Sequence, residues 1–454
     1  MKILNSSVEF LCLMVVRLLH SFGMPHFKIK KGARFVQGKK VKISGFWGEH
    51  TLNADFDNDV NVIIGRNGTG KTTFMNILHA VLTVDVDWLD DFEFNLVEIK
   101  LTNKNKTKTI KVAKDQQEDY RFQSVQYSIS NKKYVLRVAN SNESVPLHFK
   151  RRLIEESEVL RDLLRELVNI TTLSVYRIKK EYELDRRERV ERKLMSPVDQ
   201  ILADLLSRLA SYNLELSDQA RGVSSKLQKE VLTSLLYVDK PTQIDGIKLE
   251  FNKKEEKRKL ITAYRQLGVL DAKVRKDINQ HIERVASSIE KMKNAISSSK
   301  DDEPVAFDFG PLEKIRQTND VVRMSLQAEL QENEIFRQRE IFLKTLKGFI
   351  EDKDFEFING VLKVYKEREV PVEKLSSGEK QLIILFAESL LQREQPFVFI
   401  ADEPELSLHV SWQREILPAI RLLNPNSQLI VATHSPEVAG KYSDKLVDME
   451  DILK

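Results

Sequence analysis

Disulfides, a convincing membrane span and a cysteine–histidine metal cluster are all missing from this sequence. Its 454 residues hold one cysteine, Cys12, which excludes an intramolecular disulfide framework and leads us to expect a reducing, cytoplasmic compartment. The apolar stretch from Val8 to Leu19 is broken by Glu9 and Arg17 and is too short to cross a bilayer. No small-residue cleavage site clearly follows it, so residues 1–23 are expected to form a dispensable or weakly ordered extension, with Met24 a candidate for the functional initiator. Neither sign of charge dominates: 72 Lys and Arg face 68 Asp and Glu, for a net charge of +4. Overall charge therefore argues neither for nucleic acid nor against it. Hydrophobic content of 41% supports a folded chain, and its length exceeds one compact core, which predicts a head plus an insertion.

What is present concentrates near the two ends. Val60 to Ile64 reads as an apolar strand, and Thr73 to Leu82 has helical apolar spacing. Between them lie Gly65, Arg66, Asn67, Gly68, Thr69, Gly70, Lys71 and Thr72, the glycine-rich turn, lysine and threonine of a P-loop. Backbone N–H groups there converge on phosphates, aided by the positive end of the following helix. Lys71 is expected to reach the β and γ phosphates, Thr72 to ligate Mg²⁺, and Thr73 to lie in the same binding turn. Toward the other end, Phe397 to Ala401 reads as a buried strand delivering Asp402 and Glu403 at its tip. Carboxyl-edge strand tips are where α/β sheets place ligands. Asp402 is therefore expected to hold Mg²⁺ and Glu403 to polarise an attacking water. Leu429 to Ala432 reads as a further strand, ending in Thr433, His434 and Ser435; His434 could meet the γ phosphate or orient Glu403.

Taken in this order, the motifs resemble the ABC-type ATPases, in particular their SMC, RecF and OLD branch. Leu375, Ser376, Ser377, Gly378, Glu379 and Lys380 are similar to its signature sequence, Asp402 to Glu405 to the end of its Walker B motif, Ser407 to His409 to its D-loop, and Thr433 to Ser435 to its switch histidine. Many OLD-like members carry proline where Val410 stands. The resemblance covers about Val41 to Leu82 and about Pro371 to Val447. It implies a dimer with two ATP molecules between two heads, in which Ser376, Ser377, Gly378 and Glu379 of one head complete the site on the other's P-loop. Catalysis would then rest on Lys71, Glu403 and His434, with ATP and Mg²⁺ as the ligands. A transporter subunit would instead read Leu-Ser-Gly-Gly-Gln at the signature.

The expected fold is α/β: a P-loop ABC-type head split across both chain ends, with an accessory antiparallel sheet and a helical, short coiled-coil insertion. Its divisions are expected at 1–23 (extension), 24–146 (head, P-loop lobe), 147–352 (mainly helical insertion) and 353–454 (head, signature lobe). Val41 to Phe46 and Thr51 to Phe56 read as a hairpin, whose Phe46 and Trp47 could stack on adenine, core or interface packing being the expectation. Asn95 to Val112 and Ser124 to Val138 read as antiparallel strands, and Gln123 and Gln126 are both candidates for the Q-loop glutamine. Ile170 to Arg177 looks like a strand of the head. Segments of the insertion reach at most about 40 residues, or about 60 Å. The run from Arg186 to Lys193 could meet phosphates, but its interleaved Glu188 and Glu191 favour a solvated helix face. Asn359-Gly360 signals a hairpin returning the chain to the head.

Only about twenty residues follow His434, so no Toprim nuclease of the OLD type is expected after the ATPase. The sequence also resembles standalone ATPase subunits of two-component anti-phage systems such as PARIS and Septu. That resemblance implies a switch controlling a separate effector, a Toprim or HNH nuclease or a toxin, without a membrane partner. A RecF-like DNA-binding ATPase in repair is the alternative, and nucleic acid stays open as a partner.

Overall fold

The computed structural model describes residues 37–103, 106–115, 122–139, 147–168, 170–173, 196–234, 252–298 and 310–454. The extension at 1–23 with Cys12, the start at Met24, Arg177 and the charged run 186–193 lie outside these residues. Strands run in chain order as β1 Gln37–Phe46, β2 His50–Asp55, β3 Val60–Ile64, β4 Leu96–Asn103, β5 Lys106–Asp115, β6 Phe122–Ile129, β7 Lys132–Ala139, β8 Ile170–Leu173, β9 Asp354–Ile358, β10 Val361–Lys366, β11 Arg368–Val370, β12 Val398–Asp402, β13 Gln428–Ala432 and β14 Leu446–Asp448. The α-helices are α1 Lys71–Thr83, α2 Val86–Asp91, α3 Leu147–Leu167, α4 Pro197–Ser234, α5 Lys253–Gln266, α6 Ala272–Ser298, α7 Gly310–Phe349, α8 Ser377–Leu391, α9 Val410–Gln413, α10 Ile416–Leu423, α11 Pro436–Ala439 and α12 Met449–Ile452.

A parallel sheet of order β14-β3-β13-β12-β8 forms the centre. Its central strands β3, β13 and β12 are mostly apolar and buried because both faces are covered. Ile63, Val398, Ile400, Ile430 and Ala432 join a core with α1, α3 and the inner side of the antiparallel sheet β2-β1-β4-β5-β6-β7. Their neighbours Val60, Val62, Phe399, Ala401, Leu429 and Val431 point the other way, into a core with α4, α7, α8 and α10. The period-two alternation of a strand thus divides one apolar run between two cores. The head is built from both chain ends, and Ile170–Leu173 enters the same sheet as an edge strand beside β12.

One part of the anticipated insertion differs from expectation. Leu160, Leu164 and Leu167 of α3 share the core of α1, so this helix, like strand β8, packs with the head. The amphipathic pattern of α3 fixes its buried face without naming the body it packs on. Helices α4 and α7, of 38 and 40 residues, extend about 57 and 60 Å at 1.5 Å per residue. They run antiparallel: Leu205, Leu209 and Tyr212 meet Phe342 and Leu346 at the head end, and Ser224 Oγ donates to Glu332 Oε1 (3.0 Å) further out. Beyond that point Leu260, Ala263, Ile278 and Ile282 of α5 and α6 pack on Val322 of α7. Ion pairs Asp199–Lys380 (2.7 Å), Arg208–Glu388 (2.9 Å) and Glu215–Arg393 (2.5 Å) fasten α4 along the signature helix α8 and its end. The hairpin β9–β10 turns at Asn359 (φ 50°) and Gly360 (φ 85°), with Ile358 opposite Val361. Among the described residues no helix is long and apolar enough to cross a membrane.

Candidate functional site

Strand β3 ends at Ile64 and the chain turns through residues 65–70 into α1, whose N-cap Gly70 is left-handed (φ 92°, ψ 14°). Glycine is required here twice over. An L side chain is strained at that φ, and a Cβ would sit 2.9 Å from the rings of Phe46 and Trp47. Phe46 is fully buried and so packs under the loop, as core packing predicts. Trp47 is 41% exposed beside it, also at positive φ (53°). The Lys71 ammonium donates to Gly65 O (2.8 Å) and Arg66 O (3.1 Å) and lies 3.4 Å from His434 Nδ1. Burial lowers the proton affinity of Lys71, opposed by the charges of Glu403, Asp402 and Asp448. Thr69 Oγ1 donates to Arg66 O (2.9 Å), closing the turn, while Asn67, Gly68 and Thr72 are exposed and Thr73 is half-buried.

Asp402 ends β12, and Glu403 immediately leaves the strand in the left-handed region (φ 50°), its N–H donating to Ala432 O (2.8 Å). That conformation is costly for a non-glycine residue and swings the Glu403 side chain off the sheet direction. Its carboxylate Oε1 lies 3.4 Å from His434 Nε2. An ammonium only donates, so the contact with Lys71 is a hydrogen bond only in the tautomer that leaves Nδ1 unprotonated and carries its proton on Nε2, the nitrogen facing Glu403. Burial chiefly, then the charges of Glu405 and Asp402, raise the proton affinity of Glu403 against the pull of Lys71. Lys71, Asp402, Glu403 and His434, singled out in sequence at distant positions, are thus brought together. Gln123 and Gln126 both lie on β6, the fifth strand of the antiparallel sheet.

The signature residues form a second cluster. Ser376 caps α8: its Oγ accepts from Glu379 N (3.3 Å), and Glu379 Oε2 accepts from Ser376 N (2.8 Å), a reciprocal capping box. Glu379 Oε1 pairs with Lys353 (2.6 Å), both side chains nearly buried. Burial pushes the Glu379 carboxyl up, but Lys353 and the Ser376 N–H overcome it, for a net lowering. Ser376 and Ser377 are exposed; Gly378 is buried because the D-loop lies on it. A Cβ on Gly378 would stand 2.7 Å from Ser407 O, 3.5 Å from Leu408 Cδ2 and 3.6 Å from Trp412 Cζ3. Ser407 has φ 69°, and His409 caps the short helix α9 through Nδ1. Sequence reading missed three contacts: Lys353 on Glu379, Ser407 on Gly378, and Glu405 with Thr433. Only the last carried a signal, since Glu405 is one acid more than a metal-and-base pair needs.

Residues 39–439 match the family model described as AAA ATPase domain. The chain is 31% identical over 120 residues to the Retron Vc95 probable ATPase of Vibrio cholerae serotype O1 biovar El Tor, covering 23% of each. It is 36% identical over 78 residues to the Retron Ec83 probable ATPase of Escherichia coli, covering 15% of this chain and 14% of that one. These matches span less than a quarter of either relative's length. Among solved structures it is similar to the Smc head domain with an extended coiled coil bound to the C-terminal domain of ScpA, from Pyrococcus furiosus, at 14% identity over 89% of this chain and 91% of that one (TM-score 0.37). With most of its length inside the family model and both nucleotide motifs folded onto one sheet edge, the chain belongs to the AAA ATPase domain family.

Proposed function

We propose that the enzyme is a dimeric switch in which each copy lends its signature residues to the other's P-loop, and that the closed dimer scaffolds or restrains a separate effector, a nuclease or toxin, in anti-phage defence. One observation carries the dimer. Ser376 and Ser377 are exposed at the N-terminus of a 15-residue helix, whereas Lys71 of the same chain is engaged with His434 beside Glu403. A helix N-terminus flanked by hydroxyls suits the γ phosphate of nucleotide held by a second copy. The names of two matched relatives, both retron probable ATPases, support the effector reading over repair.

In this reading Lys71 and the N–H groups of residues 65–72 bind the phosphates. Glu403, as carboxylate, takes the proton of the attacking water, and His434 either holds Glu403 through Nε2–H or turns to the γ phosphate. Thr72 and Asp402 offer two oxygen donors, and among the described residues no group of three or more His, Cys, Asp and Glu suits a metal ion. That donor set fits Mg²⁺, which takes one or two protein oxygens and completes its shell from phosphate and water. When bound, Mg²⁺ neutralises charge developing on the phosphates. Mixing tests the dimer: Lys71→Ala and Ser376→Arg chains, each inactive alone, recover ATPase activity together because one composite site is intact. Heterodimers that form without recovering activity would refute it.

A second reading, a DNA-clamping ATPase, is favoured by the outer face of the antiparallel sheet. Lys40, Lys42, Lys100, Lys111, Lys133 and Arg137 alternate with buried Val41, Ile43, Ile99, Ile110, Val112 and Leu136 and therefore share that face. Across the register Lys42, Glu98, Lys111, Ser128 and Lys133 stand in one row, which puts cations at every second strand, about 10 Å apart. If duplex DNA docks there, charge reversal of Lys42, Lys111 and Lys133 weakens binding and flattens its salt dependence. Unchanged binding leaves the face a solvated surface.

A further inference from the structure

The proposed chemistry uses Asp402 and Glu403 but leaves a third acid of the same turn unexplained. Glu405 is 6% exposed. Its Oε1 accepts a hydrogen bond from the Thr433 hydroxyl, while Oε2 is buried with no hydrogen-bond partner. A carboxylate kept from water on so few bonds is costly unless its position matters. What it holds is the residue before His434. Thr433 is itself 1% exposed; its N–H donates to Ile63 O (3.1 Å), and its hydroxyl oxygen accepts from Ser435 N (2.9 Å). On the far side Ser435 Oγ donates to Gln413 Oε1 (2.6 Å), and Gln413 Nε2 donates to the D-loop carbonyl of Leu408 (3.1 Å). The backbone is therefore clamped on both sides of His434. The imidazole itself is 40% exposed, with Lys71 and Glu403 each at 3.4 Å.

We infer that Glu405 is a positioning residue: through the Thr433 hydroxyl it fixes the turn that sets the His434 imidazole between Lys71 and Glu403. The inference rests on the reading in which His434 takes part in hydrolysis. A backbone displacement of about 1 Å at such a group costs on the order of a hundredfold in rate, whereas a fraction of that is still measurable. The orientation is also directional: Glu405 sits on the Walker B turn and Thr433 on the adjacent strand end, so the two strands β12 and β13 cannot slide apart at their tips without breaking this bond.

The test is steady-state ATP hydrolysis by the full-length protein, with folding followed by circular dichroism. Thr433→Val, which removes the donor at nearly constant volume, is expected to lower kcat about tenfold while KM stays within about twofold. Thr433→Ser restores the hydroxyl and recovers most of kcat; Glu405→Leu reproduces the loss, and combining it with Thr433→Val adds little. In a His434→Ala background Thr433→Val has no further effect, because the side chain being positioned is gone. The inference is overturned if Thr433→Val folds and keeps wild-type kcat while His434→Ala is slow, or if Thr433→Val costs the same factor in both backgrounds. Wild-type kcat in His434→Ala alone removes instead the reading on which the inference rests.

Discussion

Gly378 offers a way to separate what the signature does within its own subunit from what it does for a partner. In Gly378→Ala the new Cβ stands 2.7 Å from the Ser407 carbonyl oxygen, so that carbonyl must retreat by about 0.7 Å to reach an ordinary 3.4 Å contact. Ser407 is already at φ 69°, and the new Cβ is also in contact with Leu408 and Trp412 at 3.5 and 3.6 Å, so it cannot readily move aside instead. Overpacking of this kind costs about 1–3 kcal/mol, or roughly 2–6 °C in the midpoint of the head's thermal transition. Moving Ser407 and Leu408 also pulls on the Leu408 carbonyl held by Gln413, so ATPase activity falls even where dimers form. Ser376→Arg is the control: loss of the cap costs about 1 kcal/mol, and any larger fall in activity reports on the second copy. Differential scanning calorimetry of both variants, with sedimentation for dimer content, makes the comparison. A Gly378→Ala protein that melts with the wild type would refute the D-loop packing argument.

Three other outcomes follow from the site. Turnover should rise with pH through an acid limb above the ordinary glutamate value of about 4.3, because burial and then the charges of Glu405 and Asp402 raise Glu403 and the carboxylate is the working form. Glu405→Gln removes one of those charges and moves the limb to lower pH, which a kcat–pH profile reads; an unmoved limb counts against the assignment. Lys353→Gln strands the buried Glu379 carboxylate and costs about 3 kcal/mol, seen in denaturant melts. The net lowering of the Glu379 carboxyl means the wild type holds this contribution above about pH 4.3 and loses it on acidification, so the two proteins converge in acid. Lys71→Ala should abolish hydrolysis and weaken nucleotide binding, measured by calorimetry with ATP; a variant that still turns over would displace the P-loop from the mechanism.

Much of the head was legible because its strands are unusual. Val60 to Ile64, Phe397 to Ala401 and Leu429 to Ala432 are apolar on both faces, which only a sheet covered on both sides allows, and the Asn359-Gly360 turn has one good hairpin solution. The local motifs likewise named Lys71, Glu403 and His434 before any distance was known. Pairing across the chain was not legible. Nothing near Lys353 says that it neutralises Glu379, and nothing in the pattern of α3 says that Leu160 and Leu164 face the P-loop helix rather than a separate helical body. The positive φ at Glu403 and Ser407 is equally silent in sequence, since both residue types ordinarily avoid it.

The order in which the central sheet acquires its strands has a consequence for synthesis. Strand β3 lies between β13 and β14 alone, and Asn61 Nδ2 donates to Leu429 O across 368 residues. A chain emerging from the ribosome therefore exposes its phosphate-gripping loop early but cannot seat it until the far strands arrive, long after the antiparallel helices α4 and α7 have met through more local contacts. The helical arm can therefore form on the nascent chain while the nucleotide site is still incomplete.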